Sequence, residues 1–435
     1  MTAGVATAAA SGGDGSAEPS ASERTGTWVR NGLLVVWAAL LGLLLRHREV
    51  ISSDTLSNYI HVWYIADRIA NGHGVPYAMP VLGHGEALAF PYGFLPWMLA
   101  VVLWPLMHEW SVGVCFAVGW VGMVGMTFFA FPELRKGWWA AAALVNPALV
   151  EALMLGQLPF MWASALLLAA IGCWRRDKRN TATVLAVLAQ VTHAAIIMPL
   201  VAILVLGRLR WEPNKRALLG RWGVSILFSL PAVYLVFASP VTTQTSPLIS
   251  LWIEVETLAL RSLVIAVPIA LVLAQRRGRF EVARYAFAGL LAYQIITAPW
   301  SSMKVGWGAL FREPNANATA AADSPSFQPG KTYRVLSQAD GKYAPYAVVR
   351  AGGRLDSEFF PESMYWRSFK DQAEYAKFLT DRRIDEVVYY HRYSRRKTNE
   401  EALLQSFDGR CEHGVSVERV EQHNAYDVYS VTRGC

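Results

Sequence analysis

WVRNGLLVVWAALLGLLLR occupies residues 28–46, and between Arg30 and Arg46 it carries one polar residue, Asn31, and no charge. A helix of about 20 mostly apolar residues crosses the roughly 30 Å hydrocarbon layer of a bilayer. This run is therefore expected to span a membrane. No small-residue cleavage site follows it, so it reads as a retained anchor rather than a signal peptide. Arg24 and Arg30 place its N-terminal side in the cytoplasm by the positive-inside rule. Residues 1–27, mostly Ala, Gly, Ser and Thr, read as a disordered cytoplasmic leader.

Working outward, residues 47–92 are mixed and polar, and further apolar runs follow at 93–108, 111–131, 137–155, 158–174, 181–206, 222–238, 258–275 and 282–299. The expected fold is an α-helical polytopic membrane protein of eight to ten spans, with 28–300 as the transmembrane domain and 47–92 as a long first outer loop. Several runs are short or carry Pro (Pro96, Pro105, Pro147, Pro199, Pro268). Broken helices in lipid are tolerated where they line a protein cavity. The stretch 181–206 lies between two basic clusters, so it is read as two half-helices meeting near Thr192-His193, with a single tilted span as the alternative. Arg135-Lys136 leaves the direction of the runs around 93–136 open.

Charge divides the 435-residue chain. Residues 304–435 hold 37 of its 73 charged residues, whereas the first 303 hold 36. The front is the membrane part and the back is soluble. The front also carries +6 of the net +7, concentrated in loops between apolar runs. That is the positive-inside pattern, and it argues against nucleic acid as a partner. Residues 301–330 form an Ala-, Asn- and Pro-containing linker. Residues 331–435 are expected to be a small extracytoplasmic α/β domain. Its strands are read at Tyr333–Ser337, Tyr346–Arg350 and Ile384–Tyr390, its helices at Asp371–Arg383 and Asn399–Phe407, and a closing hairpin at 415–420 and 426–432. Cys411 and Cys435 pair only if this domain faces an oxidising compartment. No CxxC or zinc-ligand spacing is present.

Chemistry-bearing residues gather in the first loop. Asp54, Ser57 or Asn58, and His61 recur at helical spacing and share a face, and Asp67, Tyr77, Glu86 and Tyr92 follow. A carboxylate at the membrane surface suits general-base work on a hydroxyl. The structural alternatives are an N-cap for Asp54 and a solvated pair with Arg68 for Asp67. Outside the loop, Gln157 reads as a sugar-hydroxyl ligand or a helix-end hydrogen bond. His193 is an intramembrane ionisable group or a packing histidine. Arg261 is a leaving-phosphate ligand or an interfacial anchor. The basic run His391–Lys397 would grip an acidic glycan or lipid, or be a solvated loop.

The order of these features resembles the C-type glycosyltransferase superfamily (GT-C), in particular its bacterial mannosyltransferase-like members. The carrying motifs are Ser53-Asp54 just past the first span, Gly74-Val75-Pro76-Tyr77, Phe90-Pro91-Tyr92-Gly93-Phe94-Leu95-Pro96, and Asn146-Pro147 with Leu155-Gly156-Gln157-Leu158-Pro159. The resemblance implies an inverting transfer of a monosaccharide from a polyprenyl-phosphate donor to a glycan or glycolipid acceptor. It places this at the outer face of the plasma membrane, in cell-envelope biogenesis, with Asp54 as the base. Asn58, His61, Asp67, Tyr77, Glu86, Tyr92, Gln157, His193 and Arg261 would be the substrate-binding set. Ser53 stands where many members carry a second acid, so the motif does not support a divalent metal, and no other cofactor is implied. The competing class is a non-catalytic transporter or envelope-assembly protein with an outer adaptor domain.

Overall fold

Glycines, prolines and one histidine cut the apolar runs into helices of unequal length, and those cuts set the architecture. The computed structural model describes residues 21–51, 54–83, 87–238, 247–298, 303–311, 325–336, 343–356, 368–391 and 399–435. The first helix is α1 (Ala21–Arg46), followed by α2 (Thr55–Ala70), α3 (Phe94–Met107) and α4 (Trp110–Ala130). A 3-10 turn at Pro132–Arg135 leads to α5 (Gly137–Leu144), α6 (Pro147–Leu155), α7 (Leu158–Arg175) and α8 (Arg179–Thr192). Then come α9 (Ala194–Leu209), α10 (Lys215–Ala238), α11 (Pro247–Arg276), α12 (Glu281–Thr297) and α13 (Met303–Phe311). Among the described residues six helical stretches are long and apolar enough to cross a membrane: Ala21–Arg46, Trp110–Ala130, Gly137–Leu155, Leu158–Arg175, Lys215–Val236 and Leu258–Arg276.

The bundle has a basic end. The Glu133 carboxylate takes hydrogen bonds from Arg175 and from Arg276 (3.3 Å), its carbonyl takes one from Gln275 (3.3 Å), and Arg30 donates to the Arg135 carbonyl (3.2 Å). The start of α1, the end of α4, the end of α7 and the end of α11 therefore meet there. Arg135-Lys136 belongs to this end, which fixes the direction of α4. The opposite end is tied by Arg48, whose Nε donates to Glu109 at 2.9 Å.

Two of the apolar runs do not reach from one end of the bundle to the other. The run 93–108, expected among the candidate spans, begins and ends away from the basic end. At its start the Gly93 N–H bonds the Thr192 carbonyl (3.0 Å), and at its finish Glu109 meets Arg48. Its 14-residue helix spans only about 21 Å, and it is bounded by the positive-φ residues Gly93 and His108. The run 181–206 is the pair of half-helices α8 and α9, broken at Thr192-His193 as expected. The run 137–155 is also broken. Asn146 caps α6 through the Ala148 N–H (3.1 Å) and donates to the Leu263 carbonyl (2.8 Å), while Pro147 needs no partner at the first helical position.

The tail folds around a six-stranded sheet of order β2-β1-β3-β6-β5-β4. The strands are β1 (Thr332–Leu336), β2 (Arg354–Leu355), β3 (Glu386–Tyr390), β4 (Cys411–Glu412), β5 (Val415–Gln422) and β6 (Tyr426–Arg433). Its helices are α14 (Ala344–Arg350), α15 (Gln372–Asp381) and α16 (Glu400–Phe407). β1 runs parallel to β2 and β3, and β3, β6, β5 and β4 pair antiparallel. Side chains alternate faces with the strand period of two. Tyr333, Val335, Val388 and Tyr390 join a core continuous with the helical bundle, and Leu336, Val387 and Tyr389 join a second core with α15 and α16. Arg334, fully buried, is held between Asp356 (2.9 Å) and Glu400.

The strand expected at Tyr346–Arg350 is instead the helix α14. Pro345 presets its first turn, and Tyr346, Val348 and Val349 bury against the bundle-side core, with the Tyr346 ring 5.9 Å from Tyr59 on α2. The place beside β1 goes to β2, a strand too short to show in the sequence. Cys411 and Cys435 form a disulfide that joins β4 to the chain end.

Candidate functional site

The break between α6 and α7 forms the corner around which the candidate side chains gather. Gly156 adopts φ +75, and a Cβ there would fall 1.8 Å from the Thr55 Cγ2. Only glycine admits this approach. It seats the start of α2 on the α6–α7 corner, where the Asp54 N–H donates to the Leu155 carbonyl at 2.9 Å. Asp54 occupies the N-cap position of α2, but its side chain makes no capping bond, and it is half-buried. The capping alternative for this carboxylate therefore fails.

Asn58 locks the same corner. Its Nδ2 donates to the Asp54 carbonyl (2.9 Å) and the Gly156 carbonyl (3.0 Å), and its Oδ1 accepts from the Trp97 indole (2.7 Å). With both N–H groups committed, the amide orients Asp54 rather than meeting a ligand. His61 lies behind Trp97, ring centroids 4.3 Å apart, and its Nδ1 donates to the Ala89 carbonyl at 2.8 Å. Burial drives its imidazole down to about 4, against the pull of that hydrogen bond, so the ring is neutral.

Aromatic rings carry the wall onward. Tyr92 packs on Trp97 (5.6 Å) and stacks on His193 (5.2 Å). Phe160 meets His193 edge-on, and the Arg261 guanidinium sits over Phe160 at 5.4 Å. Tyr92 is half-buried. Burial first, then the Asp54 carboxylate, holds its phenol protonated well above the usual range, with Arg261 pulling the other way. Asp54 and Arg261 thus both lie within electrostatic reach of one hydroxyl, and Arg261 also acts on His193. The His193 Nδ1 is buried and has no hydrogen-bond partner among the described residues. Gln157 is buried beside Gly156 at the corner itself.

The site is sunk into the bundle. His193 ends the 14-residue α8, about 21 Å from the basic end. Arg261 stands 15 residues before Arg276 on α11, about 22 Å from the same end. α4, with 21 residues, runs about 31 Å. The two cationic or polar heads therefore share a depth about 10 Å below the loop end.

Asp54, Tyr92, Gln157, His193 and Arg261 converge, with Asn58 and His61 supporting them. Asp67 and Tyr77 do not join the cluster. Asp67 lies at the far end of α2, about 20 Å along the helix from Asp54, and is exposed, as is Tyr77 at 63%. Glu86 lies outside the described residues, as do Ser52, Ser53 and 392–398 of the tail's basic run. Sequence reasoning passed over Trp97 and Phe160. Trp97 directly follows the quoted run Phe90–Pro96, and its full burial shows only in three dimensions. Among the described residues no cluster of three His, Cys, Asp or Glu side chains could hold a metal ion.

A roof covers the far side of α2. Glu109, nearly fully buried, accepts from Arg48 (2.9 Å), Arg350 (3.1 Å) and the Tyr346 hydroxyl (3.3 Å). The Leu355 N–H bonds the Val81 carbonyl at 2.8 Å, which ties the edge of the tail's sheet to the loop before α3. The tail is thereby docked on the helix that carries Asp54. Compared with protein-family models, curated proteins and solved structures, the chain finds no match.

Proposed function

We propose that the chain is a membrane-embedded glycosyltransferase that moves a monosaccharide from a polyprenyl-phosphate donor to a hydroxyl of a glycan or glycolipid on the outer face of the plasma membrane. The observation that carries the reading is the convergence of Asp54, Tyr92, Gln157, His193 and Arg261, drawn from about 200 residues of sequence, in one cluster. The cluster sets a carboxylate and a guanidinium on either side of an aromatic wall formed by Tyr92, His193 and Phe160. A half-buried carboxylate at the head of α2, a cation within the same field and stacked rings match the needs of sugar transfer.

In this reading the Asp54 carboxylate takes the proton of the acceptor hydroxyl as its oxygen bonds the anomeric carbon. The bond from that carbon to the phosphate oxygen breaks, and the electron pair leaves with the polyprenyl phosphate. Arg261 balances the charge that develops there. One displacement inverts the anomeric centre. Tyr92, protonated, donates to a sugar or phosphate oxygen, and Gln157 and His193 hold sugar hydroxyls. The Cys411–Cys435 disulfide supports an oxidising, extracytoplasmic side for the tail. In this reading the start of α1 lies on the cytoplasmic side with the basic loops, at the end of the bundle where α4, α7 and α11 finish.

The test is transfer from a radiolabelled polyprenyl-phosphate sugar by the full chain in nanodiscs. Asp54→Asn is expected to lower the rate about 10²–10⁴-fold with unchanged thermal unfolding. Undiminished transfer by that variant removes Asp54 as the base. Solute flux across proteoliposomes with no sugar transfer by the parent chain replaces the enzyme with a transporter.

A further inference from the structure

A second feature begins at the basic end. α11 and α12 are joined there by the turn 277–280 and leave a groove of about 310 Å³ between them. Its lining is wholly apolar and includes Val267, Ala270 and Leu271 of α11 with Val282, Ala286 and Gly289 of α12. That volume is at the lower end of the roughly 300–1,000 Å³ typical of ligand pockets. The groove is open on its outer side, and Gly289 faces empty space.

The turn beneath this groove is Arg276-Arg277-Gly278-Arg279, with Arg284 on the first turns of α12. Arg276 is engaged by Glu133 (3.3 Å) and Arg284 by Glu281 (3.2 Å). Arg277 and Arg279 are exposed and form no ion pair among the described residues. Phe280 and Tyr285 stand exposed on the same turn (66% and 73%), at the level where aromatic side chains anchor a helix to the membrane–water boundary. Val267 lies nine residues from Arg276, so the groove reaches about 14 Å up the helices from the charges.

We propose that this is a binding site for one anionic glycerophospholipid, with an acyl chain in the α11–α12 groove and the phosphate against Arg277 and Arg279. Each half of the site is incomplete alone. The groove offers nothing polar to orient a ligand, and the two arginines lack a carboxylate. An amphiphile with a negative head and an apolar chain satisfies both, and basic pockets between membrane helices recognise such lipids. The site is distinct from the Asp54 cluster. Arg261 lies about 22 Å from this turn along α11, so a donor whose phosphate sits at Arg261 does not place it at Arg277.

The test uses the full chain purified in a neutral detergent. Retained lipid is counted by native mass spectrometry, and unfolding is followed with added phosphatidylglycerol or with phosphatidylcholine of the same chains. One phosphatidylglycerol retained at least tenfold more tightly than phosphatidylcholine is the expected result. Arg277→Gln with Arg279→Gln should abolish that preference, and Arg277→Lys with Arg279→Lys should keep it. Gly289→Trp should displace the lipid while unfolding without lipid stays unchanged, because among the described residues no atom outside its own stretch of α12 lies within 4 Å of the added side chain's root. Equal retention of the two lipids overturns the proposal. So does equal stabilisation by inorganic phosphate, which would show a bare anion site, and so does preferential retention of polyprenyl phosphate over phosphatidylglycerol.

Discussion

Replacing Gly156 with Ala tests the corner that seats Asp54. The residue sits at φ +75, and an alanine Cβ would lie 1.8 Å from the Thr55 Cγ2, 3.0 Å from its Cβ and 3.1 Å from its backbone nitrogen. The left-handed backbone costs a non-glycine residue about 1–2 kcal/mol. Overpacking against Thr55 costs about 1–3 kcal/mol more, for a total of about 2–5 kcal/mol. The two contributions separate in a double-mutant cycle. Thr55→Ser removes the clashing methyl, so Gly156→Ala in that background should recover the packing part and retain the backbone part. Reversible unfolding of the full chain in mixed micelles reads both. The Asp54 N–H bonds the Leu155 carbonyl next to this glycine, so Gly156→Ala should also lower sugar transfer. Thr55→Ser should restore part of that activity. A Gly156→Ala protein as stable as its parent, or a cycle with no coupling between the two positions, refutes the account of the corner.

Trp97→Phe keeps an aromatic side chain but leaves the buried Asn58 Oδ1 without its 2.7 Å indole donor, which should cost about 1–3 kcal/mol in the same unfolding assay. Burial, reinforced by Glu109, raises the Glu49 carboxyl to about 7 against the pull of Arg350 and Arg48. A raised carboxyl favours the folded state when protonated, so tail docking should be firm at pH 5 and weaken as pH climbs from about 4.5 through about 7. Limited proteolysis across that range reads it, and Glu49→Gln should flatten the profile. Reducing the Cys411–Cys435 bond, which closes a loop of sequence separation 24, should destabilise the tail by about 3 kcal/mol, measured by denaturant unfolding with and without reductant.

Much of the helical part was legible because apolarity is a local property. The first span, the break at Thr192-His193 and the capped restart at Asn146-Pro147 are written in residue types that act within a turn or two. Direction is not local. The run 93–108 is apolar enough to resemble a span, and only its anchors at Thr192 and Arg48 show that it turns back. Arg135-Lys136 likewise gained a side only through the bonds of Glu133 to Arg175 and Arg276. In the tail, Tyr346–Arg350 alternates like a strand, yet Pro345 and the surface of α2 make it a helix, a tertiary override of propensity. Asp54, Tyr92, Gln157, His193 and Arg261 were each visible as polar groups in unusual places. The restraints on them were not, since Trp97 reads as one more apolar residue until its N–H is seen on Asn58.

The hydrogen bond from Leu355 to Val81 has a consequence for how the chain is made. About 270 residues separate its two partners, and at ribosomal speeds of about 5–20 residues per second they emerge roughly 15–55 s apart. Throughout that interval the peptide preceding α3 waits with its future cover unborn, while helix after helix is threaded into lipid beside it. Maturation therefore includes a late act of closure, and a ribosome that stops short of codon 355 leaves behind a bundle whose loop before α3 was never covered.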